Sequence, residues 1–184
     1  ATIGYPNSAY VHQGWISEDQ RYFFTNDEGD ELAGVATKTR TLVWDIEDLD
    51  DPVLVTEHFG TTEASDHNLY VRGDLIFEAN YRSGLRVFDA THPEAPVETA
   101  YFDTWESDDN ASFNGLWSTF PFFPSGTVIG SDGFGMAWDD DHWEQVPQLG
   151  AEGVEHVLEA HQRPCGAGRR AQPHARARVE PVVQ

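Results

Sequence analysis

The sequence predicts an all-β fold, about three blades of an incomplete β-propeller followed by a largely disordered tail, and three observations predict it. Residues 40–57 lie over residues 84–101 at a shift of 44, so that Val43-Trp44-Asp45 matches Val87-Phe88-Asp89 and Asp51-Pro52-Val53 matches Ala95-Pro96-Val97. A His or Asn stands three residues before a large aromatic in His12…Trp15, His67…Tyr70 and Asn114…Trp117. The intervening segments are dense in Val, Ile, Phe, Tyr, Trp and Thr, which suit a pleated, half-buried surface, and they lack the 3.6-residue apolar spacing of helical repeats. Repeats of roughly 45 residues carrying several short strands are what propeller blades look like in sequence.

In chain order, each repeat opens with its polar-aromatic strand at His12, His67 or Asn114. A β-rich run follows, Tyr22-Phe23-Phe24-Thr25, Leu75-Ile76-Phe77-Glu78 or Thr127-Val128-Ile129-Gly130, and is closed by Asn26-Asp27, Asn80 or Ser131-Asp132. The third strand ends at Asp45 and Asp89, whose side chains suit the cap of the next turn, and a connector then leads to Pro-Val. The predicted repeat region is 1–139, with repeats over about 11–57, 66–101 and 113–139. A closed propeller needs about four to eight blades, so three leave strand edges that call for missing blades of a parent propeller or for association.

Residues 140–184 change character. Ala, Arg, Pro, Gly and His concentrate in 162–178, a composition that cannot build a core, so this atypical acidic-then-basic tail is expected to be disordered apart from a possible short helix over 151–161. Such a tail reads either as a linker or binding arm or as the product of a shifted reading frame.

At 184 residues with 39% apolar and 12% aromatic content, the chain has enough to bury a core. Against 11 Lys and Arg stand 32 Asp and Glu, and five of the arginines lie beyond residue 160. Such a surface repels phosphate backbones and anionic headgroups, which excludes nucleic acid and anionic membrane surfaces as expected partners. No apolar run is long enough to span a bilayer. One cysteine, Cys165, cannot form an internal disulfide.

The stretches Tyr10–Phe24, Thr39–Asp45, Asp66–Arg72, Ala79–Phe88, Ala111–Trp117 and Pro121–Gly126 resemble the choice-of-anchor B family, bacterial surface and secreted proteins with LVIVD-type repeats. The resemblance runs from Val11 to Asp139. It implies a propeller fold and an exported location, extracellular or at the cell surface, and it implies no established reaction.

The residues that start the repeats are the best site candidates: His12, Trp15, His67, Asn68 and Asn114 for a ligand, with His12, Asp66 and His67 for a metal. Equivalent positions of successive blades are related by rotation, so side chains distant in sequence can converge on one central mouth. Two imidazoles and a carboxylate suit Zn²⁺ or another transition metal, whereas Asp and Asn oxygens alone suit Ca²⁺. The competing expectation is that each His or Asn hydrogen-bonds a neighbouring blade's backbone. Asp27, in the acidic loop 26–31, and Asp132 are further oxygen candidates for Ca²⁺, although the loop lacks EF-hand spacing and reads first as an exposed, solvated one. His156…His161 is neither His-Glu-x-x-His nor its inverse, and no nucleophile elbow, phosphate loop or dinucleotide fingerprint occurs.

The functional expectation is a binding or display module whose loops and exposed aromatics contact a cell-surface protein or glycan. The alternative is a metal-dependent propeller hydrolase of lactonase or esterase type, with a metal-activated water at the central mouth.

Overall fold

The computed structural model of the protein describes residues 2–132. The predicted tail and helix, the end of the third repeat and the side chain of Asp132 lie outside the described residues. The fold is all-β, as predicted: ten strands in antiparallel sheets, and no helix among the described residues. No helix there is long and apolar enough to cross a membrane.

The first sheet holds β1 (Val11–Ile16), β2 (Tyr22–Asp27), β3 (Arg40–Asp45) and β4 (Val53–Phe59), paired in sequence order. The second repeats that meander with β5 (Asn68–Arg72), β6 (Leu75–Ala79), β7 (Leu85–Asp89) and β8 (Val97–Phe102). A third, two-stranded sheet pairs β9 (Leu116–Phe120) with β10 (Ile129–Asp132). The pairing register repeats along with the sequence. Between β3 and β4 it slips at Val43/Trp44, and between β7 and β8 it slips at Val87/Phe88, the positions that the shift of 44 makes equivalent. A β-bulge is a built feature of a strand, so its recurrence marks the two sheets as copies of one unit.

Alternation along the strands decides how the sheets meet. On β6, Ile76 joins Tyr22, Phe24, Val43, Leu69, Val71 and Phe88 in the core between the first and second sheets. Its neighbour Phe77 points the other way, joining Ala79, Leu85, Val87, Phe102, Leu116 and Val128 between the second and third. The second sheet is therefore apolar on both faces, which only stacking on either side can bury, and β5 to β7 are correspondingly rich in Leu, Val, Ile and Phe.

The turns follow the residues predicted to make them. Asp45 Oδ1 accepts the amide of Glu47 at 3.0 Å, and Asp89 Oδ1 accepts that of Thr91 at 2.8 Å. Both are Asx turns leaving a strand. Between the second and third sheets, an isolated bridge joins Tyr81 to Leu116, and Gly115 makes it possible. Its φ is +102°, and a Cβ there would lie 2.4 Å from the Tyr81 carbonyl oxygen.

Candidate functional site

Stacking the sheets brings their first strands together, with β1 beside β5 and β5 beside β9. Hydrogen bonds stitch them. The Gln13 amide donates to the Leu69 carbonyl and accepts the Leu69 N–H, each at 2.6 Å, so one side chain imitates a strand-to-strand pair across the sheet boundary. At the next boundary His67 Nδ1 meets the Trp117 carbonyl, and Asn68 Nδ2 donates to the same oxygen at 3.4 Å. The expectation that these polar residues reach a neighbouring unit's backbone therefore holds for His67 and Asn68.

His12 and His67 also converge. Their rings lie 4.3 Å apart at 30°, and Glu28 faces both: Oε2 is 3.4 Å from His12 Nδ1, and Oε1 is 3.8 Å from His67 Nε2. One ligand atom from each of the three lies within 4.8 Å of those of the other two. Tyr81 Oη donates to Glu28 Oε1 at 2.5 Å, which fixes the carboxylate and raises the phenol's pKa, burial being the larger cause. Burial also holds His67 below the ordinary imidazole range, against the opposing pull of the Trp117 carbonyl and Glu28.

The other sequence candidates lie elsewhere. Asn114 precedes β9 and contributes no atom to the group of three; its amide N–H donates to Ser112 Oγ at 3.2 Å. Asp27 is occupied with the chain itself, accepting from Tyr5 Oη at 2.5 Å and from the amides of Ala9 at 2.7 Å, Tyr10 at 2.5 Å and Gly29 at 3.3 Å. Burial opposes ionisation of Asp27, but these donors outweigh it and hold its pKa below the usual range. Asp66 is fully buried with neither oxygen hydrogen-bonded. Burial first, then Glu78, Asp30, Asp27 and Glu28, drive its pKa well above the ordinary carboxyl value.

The acidic loop 26–31 corrects its expected solvation. Asn26, Asp27 and Asp30 are fully buried, and Glu28 and Glu31 nearly so. The cause is a set of distant partners. Arg40 Nε meets Asp30 Oδ2 at 2.6 Å and Arg40 Nη2 lies 3.7 Å from Asp27, while Tyr5 and Tyr81 supply hydroxyls. Burial, then Asp66 and Asp30, push Glu31 up to about 11, so it keeps a proton with which to meet Asp30.

Beside the His pair, the first-strand surface carries aromatics. Trp15 packs against Tyr70 at 5.0 Å and Phe122 at 5.7 Å, and Phe122 against Phe120 at 5.4 Å. Trp117 lies 4.4 Å from His67, yet it is 43% exposed, and Trp15 and Phe122 are each 36% exposed. The sequence places Glu28 only among the oxygens of the acidic loop 26–31, and neither its meeting with the two histidines nor the role of Gln13 is legible there. Glu28 directly follows β2, and the pairing of Asp27 with Val11 sets it beside the start of β1, where His12 lies. Comparison with protein-family models, with curated proteins and with solved structures finds no match to this chain.

Proposed function

We propose that the chain is a binding module of β-propeller type, held outside the cell or at its surface, which captures a protein or glycan partner on the surface made by its first strands. The observation that supports this most is the strip Trp15, Tyr70, Phe122 and Phe120, in which rings touch one another while Trp15, Phe120 and Phe122 stay substantially open to solvent. A contiguous exposed aromatic patch on a stacked, rigid scaffold is the kind of surface that carries binding energy, because Trp and Tyr bring a large contact area at little entropic cost. The polar groups beside it, His12 and Asn68, supply direction.

The test is capture of glycans and cell-surface proteins by the immobilised chain, comparing the parent with Trp15→Ala. Truncating an anchor residue costs about 2 kcal/mol or more, so capture should fall at least about tenfold while the circular dichroism stays unchanged. No capture by the parent, or equal capture by the variant, refutes the reading.

The meeting of His12, Glu28 and His67 favours a second reading, the metal-dependent hydrolase. That reading expects ester or lactone hydrolysis that a chelator abolishes and divalent metal restores. It fails if the metal-loaded chain hydrolyses neither class.

A further inference from the structure

The geometry points to a divalent transition-metal site, of the class that takes Zn²⁺, formed by His12 Nδ1, His67 Nε2 and the carboxylate of Glu28, with one coordination position left open. Zn²⁺ held by nitrogen and oxygen at 2.0 to 2.1 Å in a tetrahedron separates its ligand atoms by about 3.3 to 3.4 Å. Glu28 Oε2 stands 3.4 Å from His12 Nδ1 and Oε1 3.8 Å from His67 Nε2, and one ligand atom from each of the three lies within 4.8 Å of those of the other two, so small side-chain rotations bring the set to the spacing the ion requires.

Donor chemistry supports the same assignment. A carbonyl oxygen only accepts, so the contact with Trp117 places the ring hydrogen of His67 on Nδ1 and leaves the Nε2 lone pair facing Glu28. A lone pair opposite a carboxylate oxygen is repulsive unless a metal ion or a second ring proton lies between them. The outer contacts are those a metal site uses to orient its ligands: a backbone carbonyl on the far nitrogen of His67, and the Tyr81 hydroxyl on Glu28. The three ligands come from different places in the fold, with His12 on β1, Glu28 just after β2 and His67 just before β5, so the ion would tie the first sheet to the second. His67 and Glu28 are buried, whereas the side chain of His12 is 30% exposed, and the open position therefore lies on the solvent side.

The two imidazoles suit Zn²⁺, Co²⁺ or Ni²⁺ and select against Ca²⁺ and Mg²⁺, and the single carboxylate is compatible with any of these ions. This ion site goes beyond the capture of a partner and stands whether or not Trp15 contributes to that capture.

The experiment is calorimetric titration of the chelator-stripped full chain with Zn²⁺ and, separately, with Ca²⁺. It is repeated with His12→Ala and Glu28→Gln, and with Co²⁺ to read coordination from the visible absorption. Glu28→Gln keeps an oxygen to accept from Tyr81, and His12 is exposed, so both variants should fold; a thermal melt checks this. The expected result is one Zn²⁺ per chain, at least tenfold weaker in either variant, a Zn²⁺-dependent rise in melting temperature in the parent that both variants lose, a Co²⁺ spectrum of tetrahedral intensity, and no comparable Ca²⁺ binding. Absence of stoichiometric Zn²⁺ in the parent overturns the proposal. So does uptake that persists at parental affinity in both folded variants, since the ion would then sit on other histidines of the chain.

Discussion

Replacing Arg40 by methionine keeps most of the side-chain volume and removes the cation on which the buried acids depend. The guanidinium sits 2.6 Å from Asp30, 3.1 Å from Glu57 and 3.7 Å from Asp27, and it donates to the carbonyls of Pro6 at 3.3 Å and Asn7 at 3.1 Å. It is itself almost wholly buried, as are Asp30 and Asp27. Breaking a buried ion pair from one side costs about 3 to 5 kcal/mol, because the remaining charge stays out of water with nothing to answer it. Against a total stability of about 5 to 15 kcal/mol, that is a large share. At about 3 °C per kcal/mol, the melting temperature should fall by roughly 9 to 15 °C. Urea denaturation at pH 7, followed by tryptophan fluorescence, measures the loss. Glu57→Gln is the control, since Glu57 is about a third exposed and its contact with Arg40 should be worth less than about 1 kcal/mol. If Arg40→Met lies within about 1 kcal/mol of the parent, or no further from it than Glu57→Gln, the buried network is not what holds the loop 26–31 in place.

Two further perturbations test other parts of the account. Glu78 is buried and accepts from Thr41 Oγ1 at 2.6 Å and Asn80 Nδ2 at 3.1 Å; burial, with Glu98 nearby, raises its pKa. A raised carboxyl contributes stability that is full below its unfolded value and is lost as pH rises through its folded value. Glu78→Gln should therefore be near neutral at pH 4.5 and gain on the parent towards pH 7.5 in paired urea titrations, with the Asn80 amide turned so that its unpartnered oxygen accepts from the new Gln. A gap that does not change with pH counts against this. Gly115→Ala meets both an unfavourable φ of +102° and the Tyr81 carbonyl, so it should destabilise the chain by about 2 kcal/mol or more in thermal melts, whereas a neutral effect would remove the Tyr81–Leu116 bridge from the account.

The parts of the fold legible in the sequence are those set by neighbours in the chain. Val43-Trp44-Asp45 and Val87-Phe88-Asp89 alternate with period two, and strand and turn follow locally, so the shift of 44 in sequence is matched by bulges at equivalent positions in the structure. His12 and His67 were legible as a pair because repetition carries them to equivalent places on adjacent sheets. The loop 26–31 was not. Five polar residues around Gly29 read as solvated, and what buries them is Arg40, Tyr5 and Tyr81, brought in from elsewhere in the chain. Glu28 stands in that loop, and its meeting with His67 depends on the second sheet stacking on the first, which no local pattern encodes. Asn114 illustrates the converse, a residue matched by spacing whose strand, β9, begins at Leu116, so that the third sheet offers Trp117 to His67 instead.

The first strands of successive sheets lie side by side, so that His12 and His67, 55 positions apart, come together. Nuclear Overhauser measurement on the folded chain, with histidine and tryptophan selectively labelled, tests this directly. Rings 4.3 Å apart predict strong cross-peaks between the imidazole protons of His12 and His67, together with cross-peaks from His67 to the indole of Trp117 at 4.4 Å. A well-dispersed, folded spectrum lacking the His12–His67 contact would contradict the stacking and the site built on it.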